Sequence, residues 1–282
     1  MTRRRELDHH RHSLDEIREI MNSMKTLAYR ETRKLGRFLA AQQAVVEKIE
    51  DIAADFLAYY PDMLPAAAET TTVFLMIGSE RGFCGDFNHA ILRHLEDALE
   101  SNRPQTPVLL PVGRKLHVLL EHDARVSTFI SGVSVAEEVY AALDQIVEEL
   151  TRLRLKYGPV SLYGLHHRDD GKIVTQVLLP PLQHLLGQPP RFPFAPGLNL
   201  PPRDFLMKLA DHYLFAALYE ILYTSLMSEN RLRVSHLEGA IQHLDEESAT
   251  LVRRSNTLRQ EEITEEIEVI LLGATSLYAD KH

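Results

Sequence analysis

The chain has 282 residues, of which 45% are hydrophobic and 25% charged, so it is long enough for a folded core with additional elements. Its single cysteine excludes an internal disulfide framework and a multi-cysteine metal site, and it agrees with a reducing compartment. The net charge of −9 gives no support for general nucleic-acid binding, because neutralising phosphates requires concentrated Lys and Arg.

The sequence contains no pattern typical of a membrane span or a secretory signal. The longest uncharged stretches, such as residues 269–279, are far shorter than the roughly 20 apolar residues that a spanning helix needs. The N-terminus opens with Arg3, Arg4 and Arg5 and has no apolar run after them. We therefore expect a cytoplasmic protein.

Proline and glycine are distributed unevenly along the chain. All fourteen prolines lie between Pro61 and Pro202, and ten of the thirteen glycines fall in the same middle part. Proline breaks helices and glycine weakens them, so the two ends are predicted to be long helices around a compact insert. The expected regions are an N-terminal coiled-coil helix at 1–60, an α/β domain with a Pro-rich return linker at 61–202, and a C-terminal coiled-coil helix at 203–282.

Apolar residues in the first arm recur in alternating steps of three and four. They are Leu14, Ile17, Met21, Met24, Ala28, Leu35, Phe38, Val45, Ile49, Ile52 and Phe56, with Glu31 and Gln42 at the two polar steps. A sustained seven-residue repeat predicts a left-handed supercoil with a partner helix. Residues 1–37 carry an excess of base and residues 228–282 an excess of acid, which favours antiparallel contact between the two arms.

The middle of the chain alternates between strand and helix patterns. Apolar, β-branched runs predict strands at 71–77, 108–112, 126–130, 160–165 and 173–179, and helical spacing predicts helices at 88–99, 114–121 and 139–153. Ser134 is the expected cap of the last helix, which should end at Gly158. This alternation predicts an α/β layout with a largely parallel sheet, followed by a Pro-rich linker at 180–202.

The second arm starts near Pro202 and carries a second clean repeat. Its positions are Leu237, Ile241, Leu244, Ser248, Leu251, Ser255 and Leu258. If the arm is continuous, it is about half again as long as the first, so part of it should lie beyond its partner. After the acidic run 261–268, the apolar end 269–274 would then have nothing in the chain to cover it. A frayed or self-buried terminus is the alternative interpretation.

The middle domain contains one glycine-rich loop that could hold a phosphate. Gly78, Gly82 and Gly85 lie between a strand and a helix, where helix amides are available. The loop lacks the Lys-Ser/Thr of a P-loop and the dinucleotide spacing, so a tight turn is the favoured interpretation. Cys84 has no fixed His partner in the sequence and is expected to be a packing residue rather than a nucleophile.

Two charged clusters resemble functional sites only superficially, one a metal site and the other a carboxylate site. His9, His10 and His12 lack carboxylate or thiolate companions at ligand spacing, which favours a solvated terminus over a metal site. The carboxylates of the second arm spread round most of a helix, which favours a solvated face; they are Glu261, Glu262, Glu265, Glu266 and Glu268. No nucleophile, base and oxyanion site come together, so we expect no active site, cofactor or metal.

Three stretches of the sequence carry motifs of a known family. Residues 79–88 read Ser-Glu-Arg-Gly-Phe-Cys-Gly-Asp-Phe-Asn, similar to the family loop Ser-Asp-Arg-Gly-Leu-Cys-Gly-Gly-Leu-Asn. The first arm contributes Ile20, Met24, Leu27, Ala28, Arg33 and Lys34, and the second contributes Ser228, Glu229, Asn230, Arg233, Ala240, Arg259, Gln260, Ile263, Thr264, Glu266, Gly273 and Ala274. Over essentially its whole length, the chain resembles the gamma subunit of F-type ATP synthases, the central-stalk rotor.

This resemblance implies an antiparallel coiled coil of the terminal helices with a Rossmann-like α/β domain at its foot. It also implies a non-catalytic shaft that stands inside the ring of alternating alpha and beta subunits, while the foot binds the epsilon subunit and the ring of c subunits. Ion flow would turn that ring, and the shaft would push on each catalytic beta subunit in turn. The protein would lie at the cytoplasmic face of a bacterial inner membrane, attached only through the F0 sector.

The resemblance also implies contact residues, carried over by position. The expected contacts with the beta subunit are Met24, Arg233, Arg259, Gln260, Thr264 and Glu266, and the foot-domain motif consists of Arg81, Gly82, Cys84, Gly85 and Asn88. The sequence departs from the family pattern at Met21 and Asn22, which replace the usual residues after Ile20, in the unusually basic and histidine-rich leading segment to His12, and at two further positions. Glu238 stands where the family usually has a lysine, and Asp86 replaces the second glycine of a pair.

Two other functions fit the sequence patterns. A cytoplasmic α/β nucleotide-binding enzyme with a dimerising coiled coil would need a ligand at 78–85. A coiled-coil adaptor would dock other complexes without rotation, and it would leave ATP hydrolysis by alpha and beta subunits unchanged.

Overall fold

The computed structural model describes residues 2–64, 70–101 and 106–279, with side chains at 5–64, 70–100 and 106–271. Two long helices confirm the predicted terminal arms: α1 spans Thr2–Leu57 and α5 spans Pro202–Ala279. The chain divides into two compact units. The first consists of α1 up to Leu27 with α5 from Ser235 onward, and the second consists of residues 28–234.

In the first unit, α1 and α5 lie side by side in antiparallel orientation, as predicted. Lys25 Nζ is 3.8 Å from Glu238 Oε1, and Arg18 Nη1 is 3.0 Å from Asp245 Oδ1. Residue numbers along α5 therefore rise as those along α1 fall. These pairs are largely exposed and screened by water, so they indicate the register of the helices more than they stabilise them. Glu238, one of the residues that depart from the family pattern, faces Lys25 of α1.

The predicted repeat of α5 matches its burial. Leu237 and Ile241 are buried, and the remaining predicted positions are half-buried: Leu244, Ser248, Leu251, Ser255 and Leu258. Most positions between them are exposed. This seven-residue period of burial is typical of a two-helix seam, in which small serine side chains allow close approach of the backbones. The left-handed supercoil stays a prediction.

In α1 the predicted repeat holds only in part: Ile17 is 42% exposed, and the second half of the helix needs a correction. Leu14, Ala28, Leu35 and Phe56 are buried as expected. Phe38, Val45 and Ile52 are instead 46%, 48% and 42% exposed, and the next residues take the buried positions: Leu39, Val46 and Ala53. In the second unit, Val46 and Ala53 belong to a core shared with the sheet and α5, and the face buried by a core differs from a two-helix seam.

The second unit is built around a four-stranded sheet. Its strands are β1 (Thr71–Ile77), β2 (Val108–Val112), β3 (Val160–His167) and β4 (Ile173–Leu179), in the order β2-β1-β3-β4. Strand β1 pairs in parallel with β2 and β3, and β4 is antiparallel to β3. The sheet is therefore mixed, with two parallel pairs as predicted and one antiparallel pair at the β4 edge, and the α/β fold class is confirmed.

The two faces of the sheet bury two separate clusters. Val73, Leu75 and Ile77 point into a cluster that includes α1, α5 and α4 (Val139–Tyr157), whereas Phe74 and Met76 point to the opposite side. That opposite cluster is completed by α2 (Phe87–Ser101) and α3 (Arg114–Leu119). Because β1 is covered on both faces, its sequence is a continuous apolar run rather than an alternating one.

The predicted strand at 126–130 is wrong, and a proline explains why. This segment touches β2 only at two isolated bridges, Leu109 with Val126 and Val112 with Ile130. The N–H groups of Leu109 and Gly113 both donate across this edge, at 2.9 Å and 3.0 Å. The residue midway between them is Pro111, which has no N–H to donate, so the ladder is interrupted at its centre.

The predicted cap at Ser134 is also wrong. A 3₁₀ turn at Ala136–Glu138 precedes α4, and Glu138 occupies the cap position without a side-chain cap hydrogen bond. The Ser134 hydroxyl instead accepts a hydrogen bond from Arg81 Nε at 3.1 Å. At the other end, α4 stops at Gly158 as predicted, with φ of +80°, a region that glycine enters without strain.

The Pro-rich return linker is fastened to the end of α1. Arg191 donates to both carboxylate oxygens of Asp55 at 2.7 Å and to Asp51 Oδ1 at 2.8 Å. The hydrogen bonds from Arg191 hold the pKa of Asp55 below its ordinary value. Neither α1 nor α5, nor any shorter helix among the described residues, has an apolar stretch long enough to cross a membrane.

Candidate functional site

The motif loop at 78–88 connects β1 to α2 and is closed by its own side chains. The Ser79 N–H donates to Asn88 Oδ1 at 2.9 Å, and Asn88 Nδ2 donates to Ser79 Oγ, also at 2.9 Å. Both residues are buried. Asn88, in the first turn of α2, thus ties the helix back to the end of β1, and this exchange accounts for an asparagine at the end of the motif.

A half-buried carboxylate holds the outer side of the same loop. Glu80 Oε2 accepts hydrogen bonds from the N–H groups of Arg114 and Gly132 at 3.0 Å and 2.9 Å, while Oε1 accepts from the Arg114 guanidinium. Burial alone would raise the pKa of Glu80, but these hydrogen bonds outweigh it and hold the pKa below its ordinary value. Glu80 therefore joins three separate segments as a carboxylate.

The centre of the loop turns sharply around Cys84. Phe83 and Gly85, on either side of it, have φ of +62° and +61°, a left-handed conformation in which glycine is favoured. The Cys84 side chain is buried, with Sγ 3.3 Å from Ser79 Oγ, and burial raises the pKa of the thiol. A thiol that resists ionisation is a poor nucleophile, which agrees with the expected packing role.

Arg233 connects this loop to the long helix α5. Its guanidinium donates to the carbonyl oxygens of Gly82 at 3.1 Å and Arg81 at 3.4 Å, to Asn230 Oδ1 at 2.9 Å, and to the Glu229 carboxylate. Arg233 and Glu229 are 5% and 2% exposed. Burial raises the pKa of Glu229, and Arg233 opposes that rise. The side chain that we expected to contact a partner subunit is therefore directed into its own chain.

The sequence predicted no contact within the chain for Glu80 or for the Glu229–Arg233 pair. A glutamate and an arginine four residues apart on a helix normally indicate a solvated pair. The available signal was their position on the otherwise apolar face that carries Leu226 and Leu237, both of which are buried. A charged pair on such a face indicates a buried contact.

The first glycine of the loop should tolerate no side chain, whereas the second should. A Cβ at Gly78 would lie 2.4 Å from Leu116 Cβ and 2.8 Å from Asn88 Oδ1, but a Cβ at Gly82 would meet nothing closer than 3.7 Å. We expect Gly78→Ala to lower the free energy of unfolding by roughly 1–3 kcal/mol through overpacking. Gly82→Ala is the matched control, with a change of a few tenths of a kcal/mol. Urea denaturation measures both, and equal losses would contradict the steric argument.

The loop geometry disfavours the nucleotide-binding alternative. The Ser79 amide, which a phosphate would need, already donates to Asn88, and a Cβ at Gly78 would collide with Leu116. Gly78 is therefore required by close packing of β1 against α3. The loop acts as a structural junction between the sheet, α2 and α5.

The other expected contact residues lie in the first unit. Met24 is half-buried on α1. Arg259, Gln260, Thr264 and Glu266 are exposed on α5, and the Thr264 hydroxyl donates to the Gln260 carbonyl at 2.9 Å. Their exposure leaves these four side chains accessible to a partner.

An exposed apolar stripe runs along the same part of α5. Ile263, Ile267 and Ile270 are 47%, 52% and 69% exposed at successive steps of four and three residues, so they share one helix face. Val269 is also 69% exposed. The expected apolar end continued through residues 272–274, whose side chains lie outside the described residues. Within the described part, glutamates flank this stripe, which is typical of an interaction surface.

Asp86 and the histidine-rich start of α1, which both depart from the family pattern, have partners within the chain. Asp86 pairs with Arg93 on the surface of α2, and the hydrogen bond from Arg93 holds the pKa of Asp86 below its ordinary value. In the histidine-rich start of α1, His10 Nε2 lies 3.6 Å from Glu247 Oε1, and His12 Nε2 lies 3.5 Å from Glu16 Oε1.

The comparisons with known proteins all point to ATP synthase. A family model described as ATP synthase matches residues 3–277. The ATP synthase gamma chain of Fusobacterium nucleatum is 23% identical over 281 residues, covering 94% of this chain and 96% of the relative. The ATP synthase gamma chain of Saccharopolyspora erythraea is 27% identical over 298 residues, covering 93% and 95%.

Solved structures with the same fold come from rotary complexes. A chain in the rotor of the Euglena gracilis mitochondrial ATP synthase covers 93% of this chain and 99% of its own length, with a TM-score of 0.62 and 16% identity. A chain in the OSCP/F1/c-ring structure of the same enzyme covers 99% and 96%, with a TM-score of 0.65 and 16% identity. At these identities the likeness establishes the fold.

Proposed function

This chain belongs to the gamma-chain family of ATP synthases and is a subunit of the central stalk of an F-type enzyme, and we propose that it works there as the rotor shaft. As a shaft, it couples ion-driven rotation of a c-subunit ring to sequential conformational changes at catalytic beta subunits. The observation that carries the proposal is the pair of long antiparallel helices with no proline beyond the first residue of α5. Such helices transmit a sideways push without a built-in kink.

Catalysis is assigned to other subunits. Inside the motif loop, the polar side chains that could take part in a reaction hold the loop together instead. Ser79 and Asn88 bond each other, and the Cys84 thiol is buried beside Ser79. A group already fixed by internal hydrogen bonds is poorly placed to bind or activate a substrate.

The partner of the exposed end of α5 is proposed to be the ring of alternating alpha and beta subunits. Arg259, Gln260, Thr264 and Glu266 would make polar contacts with beta subunits, and Met24 would lie level with their moving lever. The exposed isoleucine stripe would face an apolar sleeve. Apolar contacts lack directional hydrogen bonds, so the energy changes little as the helix turns.

The α/β part of the second unit is proposed to be the foot that binds the epsilon subunit and the c ring. One of the solved structures with a similar fold is a chain from an OSCP/F1/c-ring assembly, which supports this proposal. Arg233 would then serve inside the foot, where it fastens α5 to the motif loop. Through the F0 sector, the complex would lie at the cytoplasmic face of a bacterial inner membrane.

Reconstitution with alpha and beta subunits tests the shaft proposal. We expect the full chain to assemble with them and to raise their rate of ATP hydrolysis. A variant ending at Leu258 lacks Arg259, Gln260, the isoleucine stripe and the acidic run, and it should assemble less well and stimulate less. Assembly without any change in hydrolysis would favour the adaptor alternative. Tight stoichiometric binding of a nucleotide by the isolated chain would favour the enzyme alternative.

A further inference from the structure

The second unit contains an aromatic groove that has no part in the functions proposed above. The groove lies between α1, α4 and α5 and has a volume of about 420 Å³. Four aromatic side chains line it: Phe38 of α1, Tyr140 at the start of α4, and Tyr219 and Tyr223 of α5. A groove of this size with mostly aromatic walls is typical of a binding site.

Three of the rings form a row with nearly parallel faces. The ring centroids of Phe38 and Tyr223 are 6.0 Å apart with 9° between the ring planes, and those of Tyr219 and Tyr223 are 6.2 Å apart with 18°. Phe38 is 46% exposed and Tyr140 is 63% exposed, so part of this aromatic surface is open to solvent. Aromatic side chains gain most when they are buried, and an exposed group of them indicates an interaction surface.

The tyrosine hydroxyls and one amide add polar atoms to the groove. Burial raises the pKa of Tyr219, and the neighbouring Tyr140 and Tyr223 raise it further, so the three phenol groups lie close together. Within the described part of the chain, the hydroxyls of Tyr219 and Tyr223 make no hydrogen bond, and each can accept one from a ligand. Gln42 Nε2 donates to the Ala216 carbonyl at 3.2 Å, which leaves Gln42 Oε1 as a further acceptor in the wall.

The charges around the groove favour a cation over an anion. Lys34 is the only cation among the described residues that line it, and this lysine already pairs with Glu137 and lies 3.9 Å from Glu31. Asp144 is a third carboxylate nearby, and it adds to the rise in the pKa of Tyr219 that burial causes. These carboxylates determine only the sign of the potential. The site itself is formed by the rings, whose electron-rich faces attract cations.

Arginine is the cation that fits these walls best. A guanidinium is planar, stacks on aromatic faces and carries five N–H donors, whereas an ammonium is a compact and strongly hydrated charge. The open walls fit a side chain that another protein presents, because a small molecule in its own site is mostly enclosed. We propose that the groove binds an arginine side chain of a partner protein, which stacks on the row of rings and donates to the hydroxyls of Tyr219 and Tyr223.

Titration of the full chain, labelled with ¹³C-tyrosine and followed by NMR, tests this proposal. The probe is N-acetyl-arginine amide, and its control is N-acetyl-citrulline amide, which has a similar shape without the charge. We expect saturable shifts of the ring signals of Tyr140, Tyr219 and Tyr223 with the arginine probe, at a dissociation constant of about 1–10 mM, and far smaller shifts with citrulline. No saturable shift below about 50 mM, or equal shifts with the two probes, would overturn the proposal.

Three tyrosine variants locate the binding site. Tyr223→Leu removes the central ring and should weaken binding of the arginine probe by about tenfold. Tyr140→Leu replaces an exposed residue, so it should weaken binding while the urea midpoint stays unchanged. Tyr157→Leu is the matched control, because Tyr157 is also exposed on α4 but lies outside the groove. Equal binding by Tyr140→Leu and Tyr157→Leu would contradict the proposal even where Tyr223→Leu fails to fold.

The complete ATP synthase tests the proposed source of the arginine. Tetranitromethane, followed by peptide mass spectrometry, should nitrate the exposed Tyr140 in the isolated chain and act about tenfold more slowly in the complex, where the partner excludes water from the groove. Equal nitration in both states would overturn the assignment to a partner protein. This step rests on the proposed function, and ATP hydrolysis by the same sample checks that function separately, so the two failures are distinguishable.

Discussion

Arg233→Met is expected to lower the free energy of unfolding by about 3–5 kcal/mol, one of the two largest effects that we predict for this chain. The substitution removes the guanidinium that donates to the carbonyls of Arg81 and Gly82, and it leaves Glu229 buried without its cation. An isolated buried carboxylate must either pay the full desolvation penalty or take up a proton. Urea denaturation, followed by circular dichroism, measures the loss.

Two further variants separate the buried contact from a general loss of charge. Arg231→Met is the matched control two residues away, because Arg231 is 51% exposed and pairs with Asp169 at the surface. It should change the free energy of unfolding by less than about 1 kcal/mol. The double variant Glu229→Gln with Arg233→Met should recover part of the loss, since no unpaired charge remains. Equal effects of the two arginine substitutions would show that the burial of Arg233 contributes nothing.

The position of this contact also bears on the proposed rotor. Within the second unit, the Glu229–Arg233 pair fastens α5 to the loop that ends β1, and Ser79, Asn88 and Glu80 fasten that loop to α2 and α3. A force on this part of α5 therefore reaches the sheet through hydrogen bonds that involve charged groups, which are stronger than neutral ones. We infer that the family motif at 79–88 transmits force between α5 and the sheet.

The sequence was informative wherever one local pattern determined the structure. The bounds of β1, β2 and β4 matched the prediction because β-branched and apolar runs ended at turns. The seam of α5 from Leu237 to Leu258 was predicted because a two-helix contact imposes a seven-residue period on its own sequence. In these segments, local preference and tertiary packing agree.

The failures occurred where a distant residue decided the outcome. The segment 126–130 has a strand-like composition, but the missing N–H of Pro111 in the neighbouring strand interrupts its pairing. The buried face of the second half of α1 follows a core assembled from several elements, so Val46 replaces Val45 in the interior. Neither result is encoded within the segment itself.

The internal contacts of Arg233 were not predicted, for the same reason. Arg233 was assigned to a partner because the resemblance fixed its position but not its direction, and only the fold brings it to the carbonyls of Arg81 and Gly82. The contacts of Glu80 were missed because the amides of Arg114 and Gly132 are 34 and 52 residues away in the sequence, and such separations give no spacing signal.

Leu251→Pro is expected to abolish most ATP-driven ion pumping by a reconstituted complex while the second unit stays folded. Leu251 is half-buried in the seam of α5 within the first unit, and proline there removes a helix hydrogen bond and clashes with the preceding turn. The local cost is about 3 kcal/mol, and the helix kinks. A kinked shaft would deliver its push at the wrong place on the beta subunits.

Leu251→Ala separates the kink from the loss of a side chain. It removes the same seam contact but keeps a strong helix former, so pumping should fall far less than with proline. Pumping is measured as ion uptake into vesicles, ATP hydrolysis is measured in parallel, and circular dichroism of the isolated chain checks that the sheet remains. Because residues 28–234 form a separate compact unit, unfolding of that unit is not an expected consequence. Pumping retained by the proline variant would mean that stiffness of α5 is not what couples the two ends of the enzyme, and the shaft proposal would then fail.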